Sequence, residues 1–185
     1  LCRVTNTAGG KKILLVGDSH SVDYSTEFRD YLSENGHSGW QLSIGGCAFI
    51  AYHLDRHNGG CRHARKLIEE AASEIKFDVV LFIGNMDRHF TQLPDGEFDT
   101  NIKSLDGLFS VFLDNGSALV YFTPRPYFKY DPPKAARLNK FEDLQVVTDG
   151  SNEFLQNNII EMAKKDRFYI YDQANELLKA GCGMP

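Results

Sequence analysis

The tetrapeptide Gly17-Asp18-Ser19-His20 is the first place in this chain where residue types that do covalent chemistry stand together. It follows Lys11–Gly17, KKILLVG, a short apolar run that ends in glycine. Such a run predicts a strand buried on both faces. A serine at the turn from that strand into a helix meets free N–H groups and the positive end of the helix dipole. That environment stabilises a developing anion and suits a nucleophile in acyl transfer. The same four residues also read as an ordinary helix cap, because Asp and Ser both accept from first-turn N–H groups. Two later stretches bear on the choice. Gly84-Asn85 closes the run Phe77–Gly84, FDVVLFIG, and an asparagine amide can donate to an oxyanion. Gly45-Gly46 closes the candidate strand Trp40–Ile44, and glycine lets a bare backbone N–H approach a substrate. A serine with two converging donors is the minimum for an oxyanion hole.

These groups need a scaffold that brings distant strand ends together. Besides the three runs above, Ala118–Phe122 and Phe168–Tyr171 read as strands. Helical spacing is allowed over His20–Leu32 by Val22, Phe28, Tyr31 and Leu32. It is strong over Arg62–Ile75, clear over Ile102–Leu113, and present over roughly 151–164. Residues 47–60 and 86–99 show no period and read as loops. The stretch 124–134 holds four of the six prolines and the aromatics Tyr127, Phe128 and Tyr130, and reads as an aromatic loop. Buried strands alternating with amphipathic helices predict an α/β fold. The expected form is a three-layer α/β/α sandwich, flavodoxin-like, with a central parallel sheet of about five strands. Its crevice lies outside the carboxyl ends of the strands. Those ends are where the serine, the glycines and the asparagine fall. Trp40 and the Phe-rich stretch 108–112 are expected in the core.

Composition narrows the function classes. The chain has 185 residues, 42% hydrophobic and 24% charged, with a net charge of −5. That describes one globular domain, neither disordered nor disulfide-dominated. A mildly acidic chain has no bulk attraction to phosphate backbones, so no nucleic-acid partner is expected. No apolar run reaches the roughly 20 residues that cross a bilayer.

ILLVGDSHS (13–21), GGCAF (45–49) and FIGN (82–85) together resemble the blocks of the SGNH hydrolase superfamily. Gly-Asp-Ser-His in particular resembles the periplasmic SGNH domain fused to acyltransferase-3 membrane proteins. Those proteins O-acetylate bacterial surface polysaccharides. The resemblance runs over roughly residues 11–180 in element order and is specific in the first 90. It implies Ser19 as nucleophile, with the Ser19 N–H, the Gly46 N–H and the Asn85 side chain as oxyanion hole. Asp18 and His20 are supporting residues, with Asp18 holding the turn. It further implies no cofactor, a polysaccharide acceptor, and an acyl donor delivered by a membrane acyltransferase-3 domain. The location it implies is periplasmic or extracytoplasmic, tethered through an N-terminal transmembrane domain. One departure stands out. The family's last block, Asp-x-x-His, supplies the general base late in the chain, yet all six histidines here lie at or before position 89. The expectation is a single SGNH domain over residues 1–185, excised from a longer membrane-anchored protein and lacking that block. Loss of the block, or a substitute upstream histidine, are the other readings. Among upstream residues His89 is the better candidate, as an exposed loop histidine.

The four cysteines stand at 2, 47, 61 and 182. In an oxidising compartment they predict two disulfides, with three possible connectivities. Cys47–Cys61 would close one loop beside Gly46, and Cys2–Cys182 would tie the termini. The rival is a metal site from Cys47, His53, His57, Cys61 and His63, but the usual Cys-x2–4-Cys knuckle is missing and Gly59-Gly60 breaks any helix. The disulfide is preferred, no metal is expected, and His53, His57 and His63 then read as surface residues of the loop.

Three functions follow in order. The first is serine-dependent O-acetyl transfer to a cell-surface polysaccharide or lipopolysaccharide through an acyl-serine. The second is a carbohydrate esterase releasing acetate to water. The third is a non-catalytic glycan-binding SGNH domain that has lost its base.

Overall fold

A computed structural model describes residues 1–56, 59–123, 127–128, 146–147, 150–173 and 176. The described elements are β1 (Cys2–Thr5), β2 (Lys12–Gly17), α1 (Ser19–Val22), α2 (Ser25–Glu34) and β3 (Ser38–Ser43). They continue with α3 (Ala51–Arg56), α4 (Gly60–Glu74), β4 (Val79–Ile83), α5 (Met86–Thr91) and α6 (Phe98–Asp114). The last are β5 (Ala118–Phe122), β6 (Tyr127–Phe128), β7 (Val146–Val147), α7 (Gly150–Met162) and β8 (Phe168–Tyr171).

Six strands form one sheet in the order β1-β3-β2-β4-β5-β8. The five apolar runs read from the sequence are its five parallel strands. The sixth, β1, is an antiparallel edge strand on β3 that sequence reading missed. It is short and half exposed, so it has no apolar alternation to announce it. Arg3 lies over the Trp40 ring, 5.1 Å from its centre, and Trp40 packs edge-on against Phe77 in the core.

Alternation along the central strands feeds two cores. Leu14, Val16, Val80, Phe82, Leu119 and Tyr121 point to one face, against Ala64 and Ile68 of α4 and Leu105, Phe109 and Phe112 of α6. Ile13, Leu15 and Ile83 point to the other, against Phe28 and Leu32 of α2. Helices therefore lie on both faces, as a three-layer α/β/α sandwich requires. Gly39 permits the close approach of α2, since a Cβ there would lie 2.1 Å from Leu32 Cδ1.

Three local readings change. The helix expected over His20–Leu32 is two helices, α1 and α2, broken at Asp23-Tyr24. Val22 and Tyr31 are accordingly about half exposed. Residues 47–60 are not simply a loop. Cys47, Ala48, Phe49 and Ile50 are fully buried, and α3 follows. The reading failed because a plug of four consecutive buried residues has neither a helical nor a strand period. Residues 86–99 likewise contain α5, a helix too short to show a repeat. Within 124–134, Tyr127–Phe128 pairs antiparallel with Val146–Val147 as β6 and β7. Tyr130 and the prolines of that stretch lie outside the described residues.

Candidate active site

The site is built by three adjacent strands that end level. Gly17 of β2 pairs with Ser43 of β3 and with Ile83 of β4. Ser19, Gly46 and Asn85 follow those ends by two, three and two residues. Neighbouring strands are about 4.8 Å apart, so the three blocks share one short stretch of the carboxyl edge. Gly17 makes the packing possible, because a Cβ there would lie 1.7 Å from the Ile83 carbonyl oxygen.

Asp18 ties this edge together. Its carboxylate is 2% exposed. Oδ1 accepts from the His20 N–H at 2.8 Å and lies 3.2 Å from His20 Nδ1. Oδ2 accepts from the Asn85 N–H at 2.8 Å and from His89 Nε2 at 3.1 Å. A Cβ at Gly84 would lie 2.9 Å from Met86 Cε, so the glycine leaves room for the buried Met86 side chain beside this loop. Burial pushes the Asp18 pKa up. The bonds from His89, Asn85 and His20, and the charge interaction with His20, outweigh it and hold the group below the usual carboxylate range. Asp18 thus bonds its own turn and the Asn85 loop. The turn is also pinned by Ser21, whose Oγ donates to the Asp18 carbonyl at 2.7 Å and lies 2.6 Å from Ser43 Oγ.

Ser19 is exposed, at the first position of α1. Because α1 is a single turn of four residues, the dipole behind Ser19 is shorter than the 13-residue reading implied. The Asn85 Oδ1 accepts from the Arg88 N–H at 3.3 Å, capping α5, so the Nδ2 end of the amide is its donor side. Gly46 occupies the left-handed region at φ 72°, and the Cys47 N–H bonds the Ile44 carbonyl at 3.2 Å. This fits a type II turn, whose third residue favours glycine. Cβ atoms built on Gly45 or Gly46 would meet nothing within 4 Å among the described residues, and both glycines are exposed.

Two histidines differ from expectation. His89 is 7% exposed rather than a surface loop residue, because α5 turns it inward onto Asp18. His53 is 4% exposed and bonds the Gly46 carbonyl through Nδ1 at 2.8 Å. His63 is exposed as expected, and His57 lies outside the described residues. The Nδ1 of His89 is buried without a hydrogen-bond partner among the described residues. Nε2 of His89 is engaged by Asp18, and no hydrogen bond joins His89 to Ser19 among the described residues.

Cys47 and Cys61 form the expected disulfide, with Cα atoms 5.6 Å apart and both residues buried. Their sulfurs are bonded to each other, which removes them from the alternative metal-ligand set. Cys2 is exposed and has no disulfide partner among the described residues. Cys182, its expected partner, lies outside the described residues.

Gln173 was not identified from the sequence. It is buried, receives a bond from Tyr24, and fixes the chain after β8 to Thr123 at the end of β5. No local pattern marks it, because its two partners, Tyr24 and Thr123, lie 149 and 50 positions away in the chain.

The SGNH domain family, described as fused to AT3 domains, matches residues 1–183. The chain belongs to that SGNH family. Solved structures agree on the fold. The periplasmic domain of a lipopolysaccharide acetyltransferase from Salmonella ser. Paratyphi A is 14% identical, with a TM-score of 0.62 over 91% of this chain and 68% of that one. A catalytic mutant of an acetylxylan esterase from Geobacillus stearothermophilus is 16% identical, with a TM-score of 0.58 over 94% of this chain and 82% of that one. A GDSL-like lipase from Bacteroides thetaiotaomicron is 12% identical, with a TM-score of 0.52 over 88% and 68%. No curated protein matches in sequence. Membership in this SGNH family supports acyl transfer or acyl-ester hydrolysis as the class of activity. Among the described residues no helix is long and apolar enough to cross a membrane.

Proposed function

We propose that this SGNH domain transfers an acyl group, acetyl in the leading case, to a bacterial cell-surface polysaccharide or lipopolysaccharide through an acyl-Ser19 intermediate. The observation that carries the reading is the level ending of β3, β2 and β4, with Asp18 bonded to both the Ser19 turn and the Asn85 loop. Ser19 Oγ bonds the acyl carbon, and its proton passes through a base to the departing donor group. The carbonyl oxygen, now an anion, takes donors from the Ser19 N–H, the Gly46 N–H and Asn85 Nδ2. A sugar hydroxyl then attacks the acyl-serine, the new ester leaves, and Oγ regains a proton. The donor comes from a membrane acyltransferase-3 domain on the same protein, on the extracytoplasmic side. The disulfide supports that location, since such bonds persist in oxidising compartments.

The esterase reading keeps the same serine and replaces the sugar hydroxyl by water. The exposure of Gly45 and Gly46 favours keeping it, because water reaches both residues. Ser19→Ala in the native protein is expected to lower acetyl transfer at least about a thousandfold with an unchanged melting temperature. Retained transfer overturns the nucleophile. Acetyl release without acetyl gain on the same glycan selects the esterase. Glycan binding with no serine reactivity toward a fluorophosphonate selects the non-catalytic reading.

A further inference from the structure

His53 and His89 belong to different helices, α3 and α5, and neither belongs to the three sequence blocks. Both are buried, which is unusual for histidine without a structural or chemical partner. Their rings meet edge to face, with centres 4.6 Å apart and planes at 87°. Each also holds one block of the site. His89 Nε2 donates to Asp18 Oδ2, the same oxygen that receives the Asn85 N–H. His53 Nδ1 donates to the carbonyl of Gly46. Both acceptors lack a proton, so the partner fixes the protonated nitrogen in each ring: Nε2 in His89 and Nδ1 in His53.

Gly46 is the block that most needs holding. Glycine populates both signs of φ with little preference. A turn bond from Cys47 alone leaves the adjacent peptide plane soft, and the oxyanion donor N–H rides on that segment. A few tenths of an ångström matter there, because donors must meet the oxyanion position at about 2.7–3.1 Å.

We propose that His53 and His89 are positioning residues that lock the glycine and asparagine blocks into one body. The line of contact runs from the Ser19 turn through Asp18 to His89, across the ring contact to His53, and on to the Gly46 carbonyl. Residues distant in the chain thereby set a single oxyanion pocket. Neither histidine touches substrate or moves a proton in the reaction. The inference rests on the acyl-serine reading.

The test uses amide side chains that mimic one ring nitrogen each. Glutamine places its donor where Nε2 stood, and asparagine places its donor where Nδ1 stood. Turnover of p-nitrophenyl acetate is measured in the native protein carrying this chain. At position 89, His89→Gln is expected to keep kcat within about threefold while His89→Asn loses about tenfold, with KM little changed in both. At position 53 the order reverses, with His53→Asn retained and His53→Gln lowered. The double variant His89→Asn/His53→Gln is expected to be little worse than the worse single, because both break one unit. The Gly46 amide resonance is expected to shift in His89→Asn, although the two residues share no bond. The same order at both positions, losses that track melting temperature, or an additive double variant would each overturn the brace. Ser19→Ala is run alongside. Full turnover in Ser19→Ala defeats the acyl-serine reading, whereas a dead Ser19→Ala beside wild-type kcat in His89→Asn and His53→Gln defeats the brace alone.

Discussion

The two ends of the central sheet handle polar groups in opposite ways. At the carboxyl ends, Asp18, His53, Asn85 and His89 are all nearly inaccessible, and the bonds of Asp18 to Asn85 and His89 cross between elements far apart in the chain. Towards the amino ends the charged groups stay near water. Lys165 meets Asp106 with both side chains 38% exposed. Arg167 bonds the Gly116 carbonyl, and Asp78 accepts from the Lys12 N–H, both at exposed positions. Burying a charge is unfavourable unless it is fully bonded. Exposed pairs contribute little either way. The fold therefore buries the bonded charge of Asp18 where chemistry is expected and leaves exposed ion pairs at the opposite edge.

Substitutions at the two ends separate those roles. The largest effect is expected from Asn85→Ala, which removes a proposed oxyanion donor. It should lower kcat about 100- to 1000-fold, read by steady-state turnover. A small loss would reduce Asn85 to a cap for α5.

Asp18→Asn is next. The amide cannot accept at all four positions, so a loss of about 3 kcal/mol is expected in denaturant unfolding at pH 7. The sign of its pH dependence follows from the lowered pKa. Stability from Asp18 is complete above the unfolded-state value near 3.8 and is lost as pH falls through the lower folded value. Wild type should therefore converge on Asp18→Asn in acid below that value. Parallel curves down to the acid limit would break the assignment.

Opening the Cys47–Cys61 disulfide with Cys47→Ala/Cys61→Ala is expected to cost about 3 kcal/mol. It should also loosen the segment after Gly46, seen as faster amide exchange at Ala48 and Phe49. The Phe49 carbonyl is held separately by Arg65 at 2.8 Å, which limits the loosening. The smallest effect belongs to the other end of the sheet. Lys165→Ala should change stability by less than about 1 kcal/mol, falling further in salt. A loss rivalling that of Asp18→Asn would erase the contrast between the ends.

The family blocks were legible because each lies within a few consecutive residues beside an apolar run. The five parallel strands showed themselves for the same reason. Gly17 was visible as strand punctuation, but the clash it prevents was not. The close approach at Gly17 involves the Ile83 carbonyl, on a strand that only folding brings alongside. His89 was read as exposed because the sequence around it is polar. Its burial follows from a bond to a residue 71 positions away.

Local pattern alone thus determined the α/β class, the parallel strands and the positions of Ser19, Gly46 and Asn85. Those depend on runs of apolar residues and on glycine, which act over a few residues. Tertiary structure alone decided the antiparallel β1 edge and the burial of His53 and His89. It also decided the reach of Asp18 across two loops. Each of these is a contact between segments distant in the chain, and its favourable energy exists only once the sheet has brought those segments within bonding distance.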